Sequence, residues 1–257
     1  MTAVDTSPIE QVRHEGWVEI VLNRPERRNA LSFDLVSAVA EAATAADNDP
    51  DIHAIAISGS GQDFCAGNDI GMFAASAQGD FDLASSSTDP FLTALSTCSK
   101  PLVAAVTGRA IGIGTSMLLH CDLVYVADDA QLATPFIDLG LVPEAASARL
   151  MPARIGHVRA FALFALGDRI GGTEAVALGI ANRALPAAEV RAAALEAARA
   201  LARKPASALA ATKALMRDDA AIATALAADR EAFLTQLATP EAAAAFAAFA
   251  ARKSGTA

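Results

Sequence analysis

Phe64-Cys65-Ala66-Gly67-Asn68-Asp69-Ile70 and, about forty residues on, Gly108-Arg109-Ala110-Ile111-Gly112-Ile113-Gly114 are the stretches that decide how this chain is read. In each, small residues sit where a strand-like run gives way to a helix-like one. The first amides of a helix lack intrahelical partners and point out of its start. Two such junctions facing one another can hold a single negatively charged oxygen between two N–H groups, which is an oxyanion hole. A third stretch, Leu141-Val142-Pro143-Glu144, places one carboxylate among apolar residues, a candidate proton carrier.

Outward from these segments the pattern is mixed α/β. Ile9 to Arg13 and Trp17 to Leu22 read as two strands of a hairpin turning at His14-Glu15-Gly16. Leu31 to Ala46 reads as a helix, Ile52 to Ser58 as a buried strand, and Phe91 to Cys98 as a helix. Leu102 to Thr107 is expected to be a strand, Thr115 to His120 a helix, and Asp122 to Ala127 a strand. Ser76 to Asp89, rich in Ser, Asp and Gly, reads as a loop forming a pocket wall or lid. From Ala145 onward the expectation is helix almost throughout, and the final helix, with Phe246 and Phe249 at helical spacing, should dock on the core or on a neighbouring subunit.

Composition narrows the function. With 53% hydrophobic and 19% charged residues, the 257-residue chain should fold around a sizeable core. A net charge of −9 argues against a general nucleic-acid binder. An anionic ligand therefore needs a local cluster of cations, and Asn23-Arg24-Pro25-Glu26-Arg27-Arg28-Asn29 supplies one. The three cysteines (Cys65, Cys98, Cys121) and four histidines show no metal-ligand spacing, so no metal is expected. Neither a membrane span nor a secretory leader is evident, which makes the cytoplasm the expected compartment. The Gly108 to Gly114 run fails the dinucleotide fingerprint, because its last glycine would fall on Met117. Ser116 fails the nucleophile elbow, because Gly114-Thr115-Ser116-Met117-Leu118 lacks the second glycine.

Taken together, Asn23-Arg24-Pro25, Asn29-Ala30-Leu31, Phe64 to Asp69, Gly108 to Gly114, Cys121-Asp122, Leu139 to Glu144 and Thr212 to Met216 resemble the crotonase (enoyl-CoA hydratase/isomerase) superfamily over nearly the whole chain. The resemblance implies a spiral of ββα units over residues 1–200. It also implies a helical region over 201–257 that closes the coenzyme A pocket and builds a homotrimer or dimer of trimers. It puts the oxyanion-hole amides at Ala66 and Ile113, with Gly112 and Gly114 permitting close approach. It lines the coenzyme A moiety with Ala30 and with Ala66, Gly67, Asn68, Asp69 and Ile70, although Asp69 by itself reads as structural. The phosphates fall to Arg24, Arg27 and Arg28, with Lys213 and Lys253 as further candidates, and the acyl chain to Phe73, Phe91, Phe136 and Leu139.

The carboxylates decide which activity the resemblance implies. Ser116 and Phe136 stand where the family's hydratases carry two glutamates, so hydration should be severely impaired. Glu144 stands where peroxisomal-type Δ3,Δ2-enoyl-CoA isomerases carry their single glutamate, and the Gly67-Asn68-Asp69 and Thr134-Pro135-Phe136 runs match that branch. The expectation is an isomerase of fatty-acid β-oxidation, acting on a coenzyme A thioester substrate without a cofactor. The alternatives are a hydratase-like or other crotonase-type enzyme, and a non-catalytic CoA-ester-binding subunit.

Overall fold

The computed structural model describes residues 7–69 and 89–253. The expected lid from Ser76 onward, together with Ile70 and Phe73, falls outside these apart from Asp89, which begins a helix.

The hairpin forms as expected. β1 (Ile9–His14) and β2 (Trp17–Leu22) pair antiparallel from Ile9↔Leu22 to His14↔Trp17. β2 then pairs in parallel with β3 (Ala54–Gly59), β3 with β4 (Leu102–Val106), β4 with β6 (Leu123–Ala127) and β6 with β9 (Arg183–Leu185). The sheet order is β1-β2-β3-β4-β6-β9. Burial follows position: β1, at the edge, buries only Ile9, whereas β3 and β4 are apolar and covered on both faces.

A smaller sheet joins β5 (Arg109–Ile111), β7 (Gln131–Ala133) and β8 (Arg169–Gly171), in that order. β8 and β9 add two strands to the region after Ala145, where helix was expected almost throughout. Each is three residues long, too short to carry a recognisable period, and each exists because a neighbouring strand offers it a ladder.

Helices close the layers. α1 (Phe33–Asn48) starts at Ser32, whose hydroxyl accepts the Leu35 N–H at 3.4 Å, and buries Leu35, Val36 and Val39 beneath the sheet. After it come α2 (Asp89–Thr97), the four-residue α3 (Ile113–Ser116) with a 3-10 turn to His120, α4 (Ser147–Ile155), α5 (His157–Ala165) and α6 (Gly172–Ala177). α7 (Ala187–Ala202) lies across β3, β4 and β6 on Val190, Ala194 and Ala198. It is fastened by a buried carboxylate on β2. Glu19 takes two hydrogen bonds from Arg191, at Nε and Nη2, each 2.8 Å, and one from the Ser58 hydroxyl at 2.6 Å.

The C-terminal arm comprises α8 (Ala206–Met216), α9 (Asp219–Leu237) and α10 (Pro240–Lys253). As expected, α10 docks on the core, with Ala242 against Gly140 and Phe246 buried. Lys213 on α8 corrects its assignment to phosphate. Its ammonium is buried and donates at 2.7 Å to both Asp122 Oδ2 and the Lys100 carbonyl, while Asp122 also accepts the Leu102 N–H at 2.7 Å. The lysine staples the arm to the start of β4 and has no freedom to reach a ligand.

Among the described residues no helix is long and apolar enough to cross a membrane, and no group of His, Cys, Asp or Glu is placed to hold a metal ion.

Lys213→Ala should cost about 1–3 kcal/mol in chemical denaturation, less than a fully buried pair because Asp122 keeps a 31% exposed side chain. The Michaelis constant for a coenzyme A ester should stay at its wild-type value.

Candidate active site

The two glycine-containing junctions come together. Phe64 N–H donates to Thr107 O at 2.8 Å, Cys65 N–H to Arg109 O at 2.9 Å, and Ile111 N–H to Cys65 O at 2.9 Å. Gly114 makes this contact possible, since a Cβ there would sit 2.7 Å from the Cys65 carbonyl oxygen. Gly67, at φ +94°, turns the chain beside Ile111.

Hydrogen bonding then decides which amides are free. Ala66 N–H donates to Arg28 O at 3.0 Å and is already engaged, which corrects its assignment as an oxyanion donor. The Leu31 N–H donates to Gly67 O at 2.8 Å, and the Asp69 N–H to Leu31 O at 2.9 Å, forming a parallel bridge centred on Asn68. In such a bridge the central residue's own N–H faces away from the partner strand. Within the described residues neither the Asn68 N–H nor that of Ile113, first residue of α3, makes a hydrogen bond. The free pair is therefore Asn68 and Ile113.

Glu144 lies in the same place. Asn68 Nδ2 donates to Glu144 Oε1 at 3.1 Å. Burial pushes the Glu144 carboxyl up to about 7; the Asn68 hydrogen bond pulls it down and the Asp229 charge pushes it up. Glu144 does not begin a helix, as Pro-Glu would suggest. The helix starts three residues later, after two buried alanines in left-handed conformations, Ala145 at φ 62° and Ala146 at φ 55°. Such torsions in non-glycine residues persist only where the surroundings enforce them. Here Ser147 donates to the Glu144 carbonyl from its N–H at 3.1 Å and its Oγ at 2.5 Å, and His120 Nε2 lies 2.9 Å from the Ala145 carbonyl. Burial holds His120 down to about 4, so the ring is neutral and donates through Nε2–H.

Ser116 and Phe136 add no second carboxylate. Ser116 is fully buried and its hydroxyl donates to Gly112 O at 3.3 Å, with no base beside it. The Phe136 ring stands by Gly112 and 6.2 Å from that of Phe164, giving the site an apolar wall. Leu139 is partly buried, whereas Phe91 is wholly enclosed in the core and is a packing residue, not a wall of the site.

The arginines divide. Arg24 is drawn inward: its Nη1 donates to Ala30 O at 2.7 Å and lies 3.5 Å from Asp69 Oδ2, an engagement that argues against the phosphate role expected of Arg24. Arg27 is exposed, and Arg28 is 64% exposed with only a 4.0 Å contact to Asp63. Asn29, quoted among the motifs but given no role by sequence, is fully buried and ties the cluster to the next loop through Ser60 O at 2.9 Å and Asp63 O at 2.7 Å. Its signal was an asparagine between an arginine pair and an apolar residue, suited to the left-handed φ of 55° it adopts.

The family described as enoyl-CoA hydratase/isomerase matches residues 13–254. The "Probable enoyl-CoA hydratase echA8" of Mycobacterium bovis is 36% identical over 171 residues, 65% of each chain, so the match spans just under two thirds of that relative. "Enoyl-CoA delta isomerase 3, peroxisomal" of Mus musculus is 30% identical over 187 residues, 72% of this chain and 59% of the relative. Among solved structures, Pseudomonas aeruginosa OdaA superposes with a TM-score of 0.90 at 37% identity, covering 95% of this chain and 99% of the other. The fold is the crotonase type that the motifs imply, and the chain belongs to the enoyl-CoA hydratase/isomerase family.

Proposed function

We propose that the protein is an acyl-CoA double-bond isomerase that converts a 3-enoyl-CoA to the 2-trans-enoyl-CoA with Glu144 as its proton carrier. One observation carries the reading: a buried carboxylate with its pKa raised to about 7 takes a hydrogen bond from Asn68, whose own amide is unengaged as is that of Ile113, while both positions of a hydratase's glutamates are a buried serine and a phenylalanine. Hydration needs a second group to place water; a double-bond shift needs one base. The relatives' names divide between hydratase and isomerase, so the choice rests on these side chains.

In the proposed reaction Glu144 takes a proton from C2 of the thioester. The electron pair of that C–H bond moves into a dienolate, and the charge on the thioester oxygen is met by the Asn68 and Ile113 N–H groups. Backbone donors cannot rotate away, and each is typically worth about 3–4 kcal/mol of barrier. The protonated Glu144 then returns the proton to C4, leaving the double bond between C2 and C3 and the enzyme unchanged. A base near neutrality suits both halves of this cycle. Arg27 and Arg28, exposed at the surface, would meet the coenzyme's phosphates. Association into a trimer or a dimer of trimers fits the exposed Val158 and Phe161 on α5.

Incubation with 3-enoyl-CoA and 2-enoyl-CoA should interconvert them without forming 3-hydroxyacyl-CoA; a hydroxy product would replace this reading with the hydratase. Glu144→Gln should lower kcat about 10²–10⁴-fold, and near wild-type turnover would refute the assignment. The wild-type rate should fall below about pH 7, as the base protonates. Asn68→Ala keeps the main-chain amide but removes a hydrogen bond that favours the charged carboxylate, so the acid limb of kcat/KM should move to higher pH. Arg28→Glu should raise KM about tenfold, equivalent to about 1.4 kcal/mol, with kcat retained.

A further inference from the structure

Helix α9 carries one residue that contradicts its own pattern. Ile222, Leu226, Asp229 and Phe233 follow one another at helical spacings on the face packed against the core. Three are apolar and the fourth is an aspartate. The Asp229 Oδ2 atom is buried and makes no hydrogen bond, an arrangement that calls for a reason beyond packing. α9 rests on α4, and the carboxylate lies near the Ala146 and Ala148 amides, immediately after the left-handed turn that aims Glu144.

We propose that Asp229 is a positioning residue for Glu144, a second carboxylate that the C-terminal arm sets behind the base to strengthen it by like charge. Burial raises Asp229 to about 6, against the pull of the Ala146 and Ala148 amides, so it is charged over the range in which Glu144 must accept a proton. Its charge in turn raises the proton affinity of Glu144. Other titratable groups lie around the pair. Cys65 is pushed up to about 12 and His120 down to about 4, and Asp218 faces Arg149 at 4.0 Å.

The inference rests on Glu144 as the proton carrier, and its test includes a readout that needs no substrate. The Glu144 carboxyl carbon, labelled with 13C and assigned by the signal lost in Glu144→Gln, is titrated by NMR in the wild type, Asp229→Asn and Asp229→Glu. In Asp229→Asn the midpoint should move to lower pH, and the acid limb of kcat/KM with it, at unchanged KM for the coenzyme A ester. Asp229→Glu keeps the charge and should keep the midpoint near that of the wild type. An Asp229→Asn midpoint at or above the wild-type value overturns the proposal, even if the variant melts earlier, since lost packing alone would not move the base. Failure of the isomerase assay would leave the NMR comparison standing, so the two readings fail separately.

Discussion

A single contact, Asn68 Nδ2 to Glu144 Oε1 at 3.1 Å, links the two halves of the site. The same residue presents a main-chain N–H with no partner and a side chain that steadies the base. What places Asn68 is the ladder beneath it: Leu31 pairs with Gly67 and Asp69 on either side, and Cys65 pairs with β5. The sheets and α1 fix those segments, so the chemistry inherits its geometry from backbone hydrogen bonding, and the side chains need only be small enough to permit it. Gly67 and Gly114 meet that need where main chains approach too closely for any Cβ.

Much of this architecture was legible in the amino-acid order, and the exceptions share a cause. The hairpin, α1, β3 and β4 announce themselves through β-branched runs and the turn residues between them. β5, β7, β8 and β9 are three residues long and take their form from neighbours, so no local period marks them. The motif segment from Phe64 to Asp69 pointed to a loop that does carry an unengaged amide, but at Asn68 in place of Ala66. Whether Ala66 or Asn68 is free depends on the Arg28 carbonyl, which is distant in sequence and supplied by tertiary contact. Arg24 was misassigned for a similar reason, since only the folded chain shows Asp69 and Ala30 O waiting for it. Asp229 gave no signal, because Asp-Arg-Glu on an alanine-rich helix reads as a solvated face.

Charge is sorted across this site by depth. Arg24 and Lys213 are consumed in tying loops and arm to the core, Arg27 and Arg28 stay at the surface, and Glu144 is set among buried groups with the neutral Cys65 nearby and no cation among the causes that shift it. Within a chain of net charge −9, that arrangement leaves the buried carboxylate without a counter-ion among the described residues. The result is a carboxyl group whose proton affinity is governed by desolvation first.

The same burial has a thermodynamic side. A carboxyl that titrates near 4.5 in the unfolded chain and about 7 in the fold makes the native protein hold an extra proton between those values. Its contribution to folding is complete below the lower value and lost as pH rises through the higher, an amount on the order of 3 kcal/mol. The ionised, proton-accepting form is thus the one in which the fold is least at ease. The chain tolerates a weaker native state at neutral pH as the condition for carrying a reactive carboxylate there.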